Sequence, residues 1–249
     1  MTYGRPYDKS DERPKIAIMV TGLGPISDAT AAAFHLPAAM SLSFSPYTED
    51  LPSLFERARL AGHEVLIELP MEPDDYPTND PGPHTLRASG TVDANLERLT
   101  WVLSRAPGYF AVTGPTGVFG KSPEAIPMIE AIASKGLGMI EINNDTMSRE
   151  AEKGDLPYLS ARQWIDDVPS SEAIERALSN LEAEAKENGS AVGVAEAYPI
   201  TLQRLAEWAS TLDQRGLALT PISAIMIERS GVLGADDQAT GSSVAQSQN

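Results

Sequence analysis

Several acidic residues of this chain stand at or just beyond the ends of short apolar runs. Glu68 closes VLIE, Glu72 follows LPM, Glu141 sits in GMIEI with Asp145 just after it, and Glu196 follows AVGVA. Carboxylates gathered in this way suit general acid–base chemistry or the binding of a hard cation. In parallel α/β folds the site lies at the carboxyl ends of the strands. That rule yields Thr21, Gly22, Ser45, Tyr47, Glu68, Glu72, Thr113, Thr116, Glu141, Asn143, Asp145, Glu196 and Tyr198. Glu72 is the expected base, with Glu141, Asp145 or Glu196 as its partner. Thr21, Gly22, Tyr47, Glu68, Met71, His84, Thr116, Asn143 and Tyr198 are the expected substrate contacts. Tyr47, Tyr198, Phe119 and Trp164 offer faces on which a sugar ring stacks.

The three histidines argue by their placement. His63 precedes its strand and belongs at the opposite end of the fold, and His35 lies in the short connection FHLP. Only His84 falls in a loop on the site face. No two histidines share i, i+4 spacing, so a zinc site with two histidines is not expected. No G-x-S-x-G elbow supports a Ser-His-Asp triad. There is no cysteine, which excludes thiolate metal sites, disulfides and thiol nucleophiles. No cofactor is expected. Zinc, the one divalent metal to consider, lacks its usual donors.

The elements that must position these residues alternate regularly. Ile16–Val20, Met40–Phe44, Val65–Leu69, Tyr109–Val112, Gly138–Ile142, Tyr158–Ala161, Ala191–Ala195 and Leu217–Ile222 read as short strands. Runs apolar on both faces suit a parallel sheet covered on both sides. Between them, helices are expected over Ser27–Phe34, Leu51–Ala61, Thr91–Arg105, a segment capped by Ser122 with Pro123 at its first position, Ser171–Asn188 and Thr201–Arg215. Gly62, Gly136, Gly189 and Gly216 stand at the helix-to-strand joints. Seven or eight parallel strands with helical crossovers predict an α/β fold, a distorted (β/α)7–8 barrel in a single domain. Residues 14–228 form that barrel, 1–13 are expected to be flexible, and 229–249, small and polar, to be disordered. One long irregular stretch interrupts the pattern after Leu69. It carries Pro70, Pro73, Pro77, Pro81 and Pro83, and its restricted backbone suits an ordered loop that shapes a site.

Composition narrows the partners. The 249 residues carry 35 acidic and 19 basic side chains, a net charge of −16. Such a chain repels nucleic-acid phosphates and anionic membrane surfaces. No segment reaches the apolar length of a membrane span, and no signal or anchor is read in this chain.

LPMEP followed by DPGPHTL resembles the signature loop of the divergent polysaccharide deacetylase family, within the NodB-like carbohydrate deacetylases. IAIMVTGLG, AGHEVLIELPMEP, GLGMIE, IDD and AVGVAEAYPIT fall in the matching order. The resemblance implies a distorted barrel acting on acetylated sugars, carbohydrate or cell-envelope glycan as partner, and a periplasmic or envelope-associated setting. It also implies a metal bound by aspartate and histidine. Here Thr21-Gly22 stand where the family has aspartates, Val118 where it has a histidine, and Ala195-Glu196-Ala197 where it has Gly-His-Pro. The expected protein is therefore polysaccharide deacetylase-like but catalytically degenerate, binding glycan or a protein partner. The alternatives are an active deacetylase or hydrolase working through the carboxylates, and a structural envelope module that docks other proteins.

Overall fold

The computed structural model describes residues 4–8 and 10–230. In chain order the elements are β1 (Lys15–Leu23), α1 (Ser27–Ala33), β2 (Ser41–Phe44), α2 (Leu51–Leu60), β3 (Val65–Glu68), α3 (Val92–Leu103), β4 (Ala111–Pro115), α4 (Ala125–Ser134) and β5 (Gly138–Ile142). They continue with α5 (Ser148–Lys153), β6 (Tyr158–Ala161), β7 (Gln163–Trp164), α6 (Ser171–Asn188), β8 (Ser190–Glu196), α7 (Pro199–Ala209), β9 (Ala218–Leu219) and α8 (Ile222–Ser230). The strands pair in the order β6-β5-β4-β3-β2-β1-β8-β7, with β9 added beside β1. Every ladder is parallel. The sheet curls into a single barrel that stops short of closure, because β6 and β7 follow one another directly and do not pair.

Both faces of the sheet are buried, by different partners. Ile16, Ile18 and Val20 of β1 and Val65 and Ile67 of β3 join the shell between strands and helices. Ala17, Met19, Leu66, Ala111, Ile140, Val192 and Val194 point inward and fill the barrel. Each fully buried Leu, Ile or Phe contributes about 2 kcal/mol. Ile222, Ile225 and Met226 of α8 belong to the inner cluster. Met226 lies against Gly138, where β5 begins, so α8 plugs the end of the barrel at which the strands start. Glu64, just before β3, fastens that end. Its buried carboxylate takes hydrogen bonds from the Arg5 amide, the Ser41 hydroxyl and the Ser223 amide and hydroxyl. Arg5 also donates to the Gly62 carbonyl, and Arg13 pairs with Asp213. Through these contacts the N-terminal segment, read from sequence as flexible, meets the barrel. The expected disordered tail lies almost wholly outside the described residues.

Three local expectations are corrected. Ser122 does not cap a helix: its hydroxyl donates to the Phe119 carbonyl at 2.8 Å, ending a 3-10 turn (Phe119–Lys121), and α4 starts at Ala125. Leu217–Ile222 is not one strand. Pro221 has no amide to continue the ladder, and Ile222 opens α8 instead. The helix expected over Thr201–Arg215 starts at Pro199, ends at Ala209, and is followed by a separate 3-10 turn. Two short elements, α5 and β7, carry too few residues to show a period in sequence.

Candidate functional site

At the end of the barrel where the strands finish, a cavity of about 380 Å³ opens to solvent. Thr21 and Gly22 from β1, Glu68 from β3, Thr113 from β4 and Glu196 from β8 form its floor and one side. Tyr47, Met71 and Trp164 wall it, with Pro46, Pro70 and Pro81. Of the expected strand-end, contact and stacking residues, Thr21, Gly22, Ser45, Tyr47, Glu68, Met71, Thr113, Trp164 and Glu196 meet here. A larger, more open hollow of about 660 Å³ lies beside the β6–β7 seam, lined by Asp145, Arg162, Asn180 and Arg229 among others. One of its two acids, Asp145, is already paired with Arg162 at 2.8 Å. The mouth is the stronger candidate because residues from several strand ends converge there.

Two carboxylates face each other across Gly22. One oxygen of Glu68 accepts from the Thr21 hydroxyl and the Gly22 amide, both at 2.7 Å. Glu196 Oε2 lies on the other side, 2.5 Å from where a Cβ on Gly22 would stand. Gly22 has φ +75, so a side chain there is excluded by backbone as well as by space. Burial pushes the Glu68 carboxyl up to about 7, and the charge of Glu196 adds to it; the Gly22 and Thr21 donors and the buried Ser43 hydroxyl pull the other way. Glu196 is also raised, first by burial and then by Asp166. Asp166 itself is raised by burial, while the Thr201 hydroxyl and Glu196 amide favour its charged form. The cavity lining contains no Lys, Arg or His.

Glu72, the expected base, is placed elsewhere. Its Oε2 accepts from the Ala88 amide at 2.8 Å and from Arg87 at 3.2 Å. Its amide donates to the Leu86 carbonyl, and the Leu86 amide to the Pro70 carbonyl, so the two limbs of the proline-rich loop zip together. Arg87 continues the tie by donating to the Tyr76 hydroxyl and lying over that ring. Glu72 therefore shapes the loop and does not line the cavity. His84 also stays out of the cavity, stacked on Trp101 with ring centroids 3.6 Å apart. Its amide takes the Tyr47 hydroxyl as acceptor at 3.0 Å, and Gly82 packs flat against the Tyr47 ring. The loop thus fixes one cavity wall.

Glu141 faces the outer side of β5, since its neighbours Ile140 and Ile142 point inward. It is fully buried and accepts from the Thr116 and Thr146 hydroxyls, the Thr146 and Met147 amides and the Tyr158 hydroxyl. Thr116 and Asp145 belong to this same network, the latter through Tyr158 at 3.0 Å. These three hold the β5–α5 connection and do not reach the mouth. Asn143 acts indirectly: its side-chain oxygen accepts from the Trp164 indole, which holds that ring on the cavity wall. Tyr198 is exposed at the start of α7, outside the cavity lining. Phe119 is core. Asp166 was legible only as part of the IDD block, and nothing in the sequence marked it as the neighbour of Glu196.

A sequence model of the divergent polysaccharide deacetylases matches residues 18–226. The chain belongs to the divergent polysaccharide deacetylase family. Among relatives, an uncharacterized protein of Agrobacterium tumefaciens superposes with a TM-score of 0.86 at 28% identity, covering 90% of this chain and 93% of its own. The uncharacterized protein YibQ of Escherichia coli is 22% identical over 86% of this chain and 68% of its own length. A protein of Enterococcus faecalis, provisionally described as a cellobiose-phosphate cleavage protein, shares the fold with a TM-score of 0.59 at 12% identity, over 86% of this chain and 99% of its own.

The deacetylase family implies a divalent metal, and the residues here do not fit one. Two acids line the mouth, without a histidine. Thr21 offers a hydroxyl already donated to Glu68, and Gly22 offers no side chain. Val118 caps the 3-10 turn and is not a cavity residue. Among the described residues, no three His, Cys, Asp or Glu side chains converge as a metal ion would need. Nor is any helix among them long and apolar enough to cross a membrane.

Proposed function

We propose that this protein is a glycan-binding member of the deacetylase family that works in the bacterial envelope without the family's metal centre. The observation that carries the reading is the composition of the mouth. A cavity of sugar size, walled by Trp164 and Tyr47, keeps two carboxylates where the family's ligands are replaced by Thr21 and Gly22. Aromatic faces pack on the apolar side of a sugar ring, while carboxyl groups meet its hydroxyls. A water-activating metal needs about three protein ligands, and the mouth offers two acids that burial drives toward the neutral form. The proline-rich loop survives because its task, setting Tyr47 and Met71 along the cavity, does not depend on a metal. The envelope setting is the one in which a family acting on polysaccharides meets its glycans.

The test has two arms. The protein is loaded with zinc, cobalt or nickel, dialysed, and its metal measured by elemental analysis; the expected content is well below one ion per chain. Calorimetric titration with oligosaccharides of glucose, glucosamine and N-acetylglucosamine is expected to show binding that Trp164→Ala weakens. Stoichiometric metal together with release of acetate from the acetylated oligomer would overturn the reading.

A further inference from the structure

Most buried or half-buried acids of this protein have a cationic or multiply donating partner. Glu72 has Arg87, Glu182 has Arg215, and Glu141 has five donors. The two acids of the mouth are the exceptions. Glu68 uses one oxygen on Thr21 and Gly22 and has no basic neighbour. The Glu196 carboxylate accepts no hydrogen bond from any described residue, and the charge beside it is another acid, Asp166. Buried carboxylates are ordinarily paired, because an uncompensated charge away from water is costly. A second irregularity lies directly below. Ser43 pairs with Leu66 in the ladder, one inward position under Glu68. Its hydroxyl is fully buried, makes no hydrogen bond of standard geometry, and is directed at the Glu68 carboxyl.

We propose that the Glu68–Glu196 pair receives the protonated amine of a de-acetylated amino sugar. This rests on the glycan reading above and specifies which glycan. Through Gly22, the nearest oxygens of the two acids are no more than about 8 Å apart. Glu196 has no hydrogen bond to break in closing on a ligand. An ammonium group carries three donors and no acceptor, which matches the second Glu68 oxygen and the two Glu196 oxygens left without partners. Trp164, held by Asn143, adds an aromatic face to the cation's surroundings. The absence of Lys, Arg and His from the lining disfavours phosphorylated and uronic sugars. The chain's charge of −16 draws a cationic glycan in and repels an anionic one. Occupancy by a cation also favours both acids in their charged forms, so at about pH 6, where the amine already carries its proton, the ligand displaces the proton that Glu68 holds.

The experiment is calorimetric titration of the full chain with glucosamine trimer, N-acetylglucosamine trimer and cellotriose at about pH 6, where the amine is already protonated and Glu68 still holds its proton. Each is run in two buffers of different ionisation enthalpy. The glucosamine trimer is expected to bind about tenfold or more tighter than the other two, a difference of about 1.4 kcal/mol. Its binding is expected to release a proton, seen as a buffer-dependent heat. Glu68→Gln and Glu196→Gln are expected to abolish both the preference and the proton release while keeping a cooperative thermal transition. Equal affinity for the acetylated and amine trimers overturns the amine assignment and leaves glycan binding standing. Binding of none of the three overturns the glycan reading beneath it. A glucosamine preference unchanged in both variants overturns the assignment to these two residues.

Discussion

Gly22 keeps Glu196 and Glu68 apart: its amide donates to one acid, and its missing side chain leaves room for the other. A Cβ at this position would stand 2.5 Å from Glu196 Oε2, on a backbone of φ +75. Gly22→Ala is therefore expected to lower stability by about 1–2 kcal/mol through backbone strain alone. It also swings Glu196 out of the mouth. Thermal unfolding reads the first effect, and loss of glucosamine-trimer affinity reads the second. An alanine variant with unchanged melting temperature and affinity would contradict this arrangement.

The Glu68 carboxyl leaves a signature in the pH dependence of stability. Its folded pKa of about 7 lies above the unfolded value near 4.5. Between those values the folded state binds more protons than the unfolded, so stability falls as pH rises through the window and levels off above it. Glu68→Gln removes this slope and is expected to gain up to about 3 kcal/mol over the parent at pH 8, and little at pH 4. Denaturant titrations at the two pH values provide the comparison. Equal differences at both would place the Glu68 pKa outside the window.

Glu72 tests loop architecture rather than chemistry. Glu72→Ala leaves the Ala88 amide and Arg87 without their acceptor and is expected to cost about 1–3 kcal/mol. Glu72→Gln keeps an acceptor for the amide and is expected to lose less. Limited proteolysis should cut the alanine variant faster between residues 73 and 83. If Glu72→Gln were as damaged in ligand binding as Glu68→Gln, with the loop intact, Glu72 would belong to the site after all.

The loop's grip on the cavity wall can be broken at Gly82. A Cβ there would stand 2.7 Å from the Tyr47 ring, at φ +118. Gly82→Ala is expected to displace Tyr47 and weaken glycan binding severalfold with a modest loss of stability, near 1 kcal/mol. Tyrosine fluorescence of the unliganded variant and its titration with glucosamine trimer report on the two consequences separately.

The alternation of glycine-ended helices and short apolar strands determined the barrel, because crossover helices leave parallel strands few other solutions. The residue types at Thr21, Gly22 and Val118 were equally open to reading, since they stand in the sequence itself. Which carboxylates meet was not. A strand buried on both faces is apolar at every position, so it carries no alternation from which to tell inside from outside. Glu68 and Glu141 look alike in VLIEL and GMIEI, yet one points into the barrel and the other into the helical shell. Glu72 looked free until the chain returned fifteen and sixteen residues later to offer it Arg87 and Ala88. Register across strands and the closing of a long loop are set by packing between distant segments, and only the folded chain expresses them.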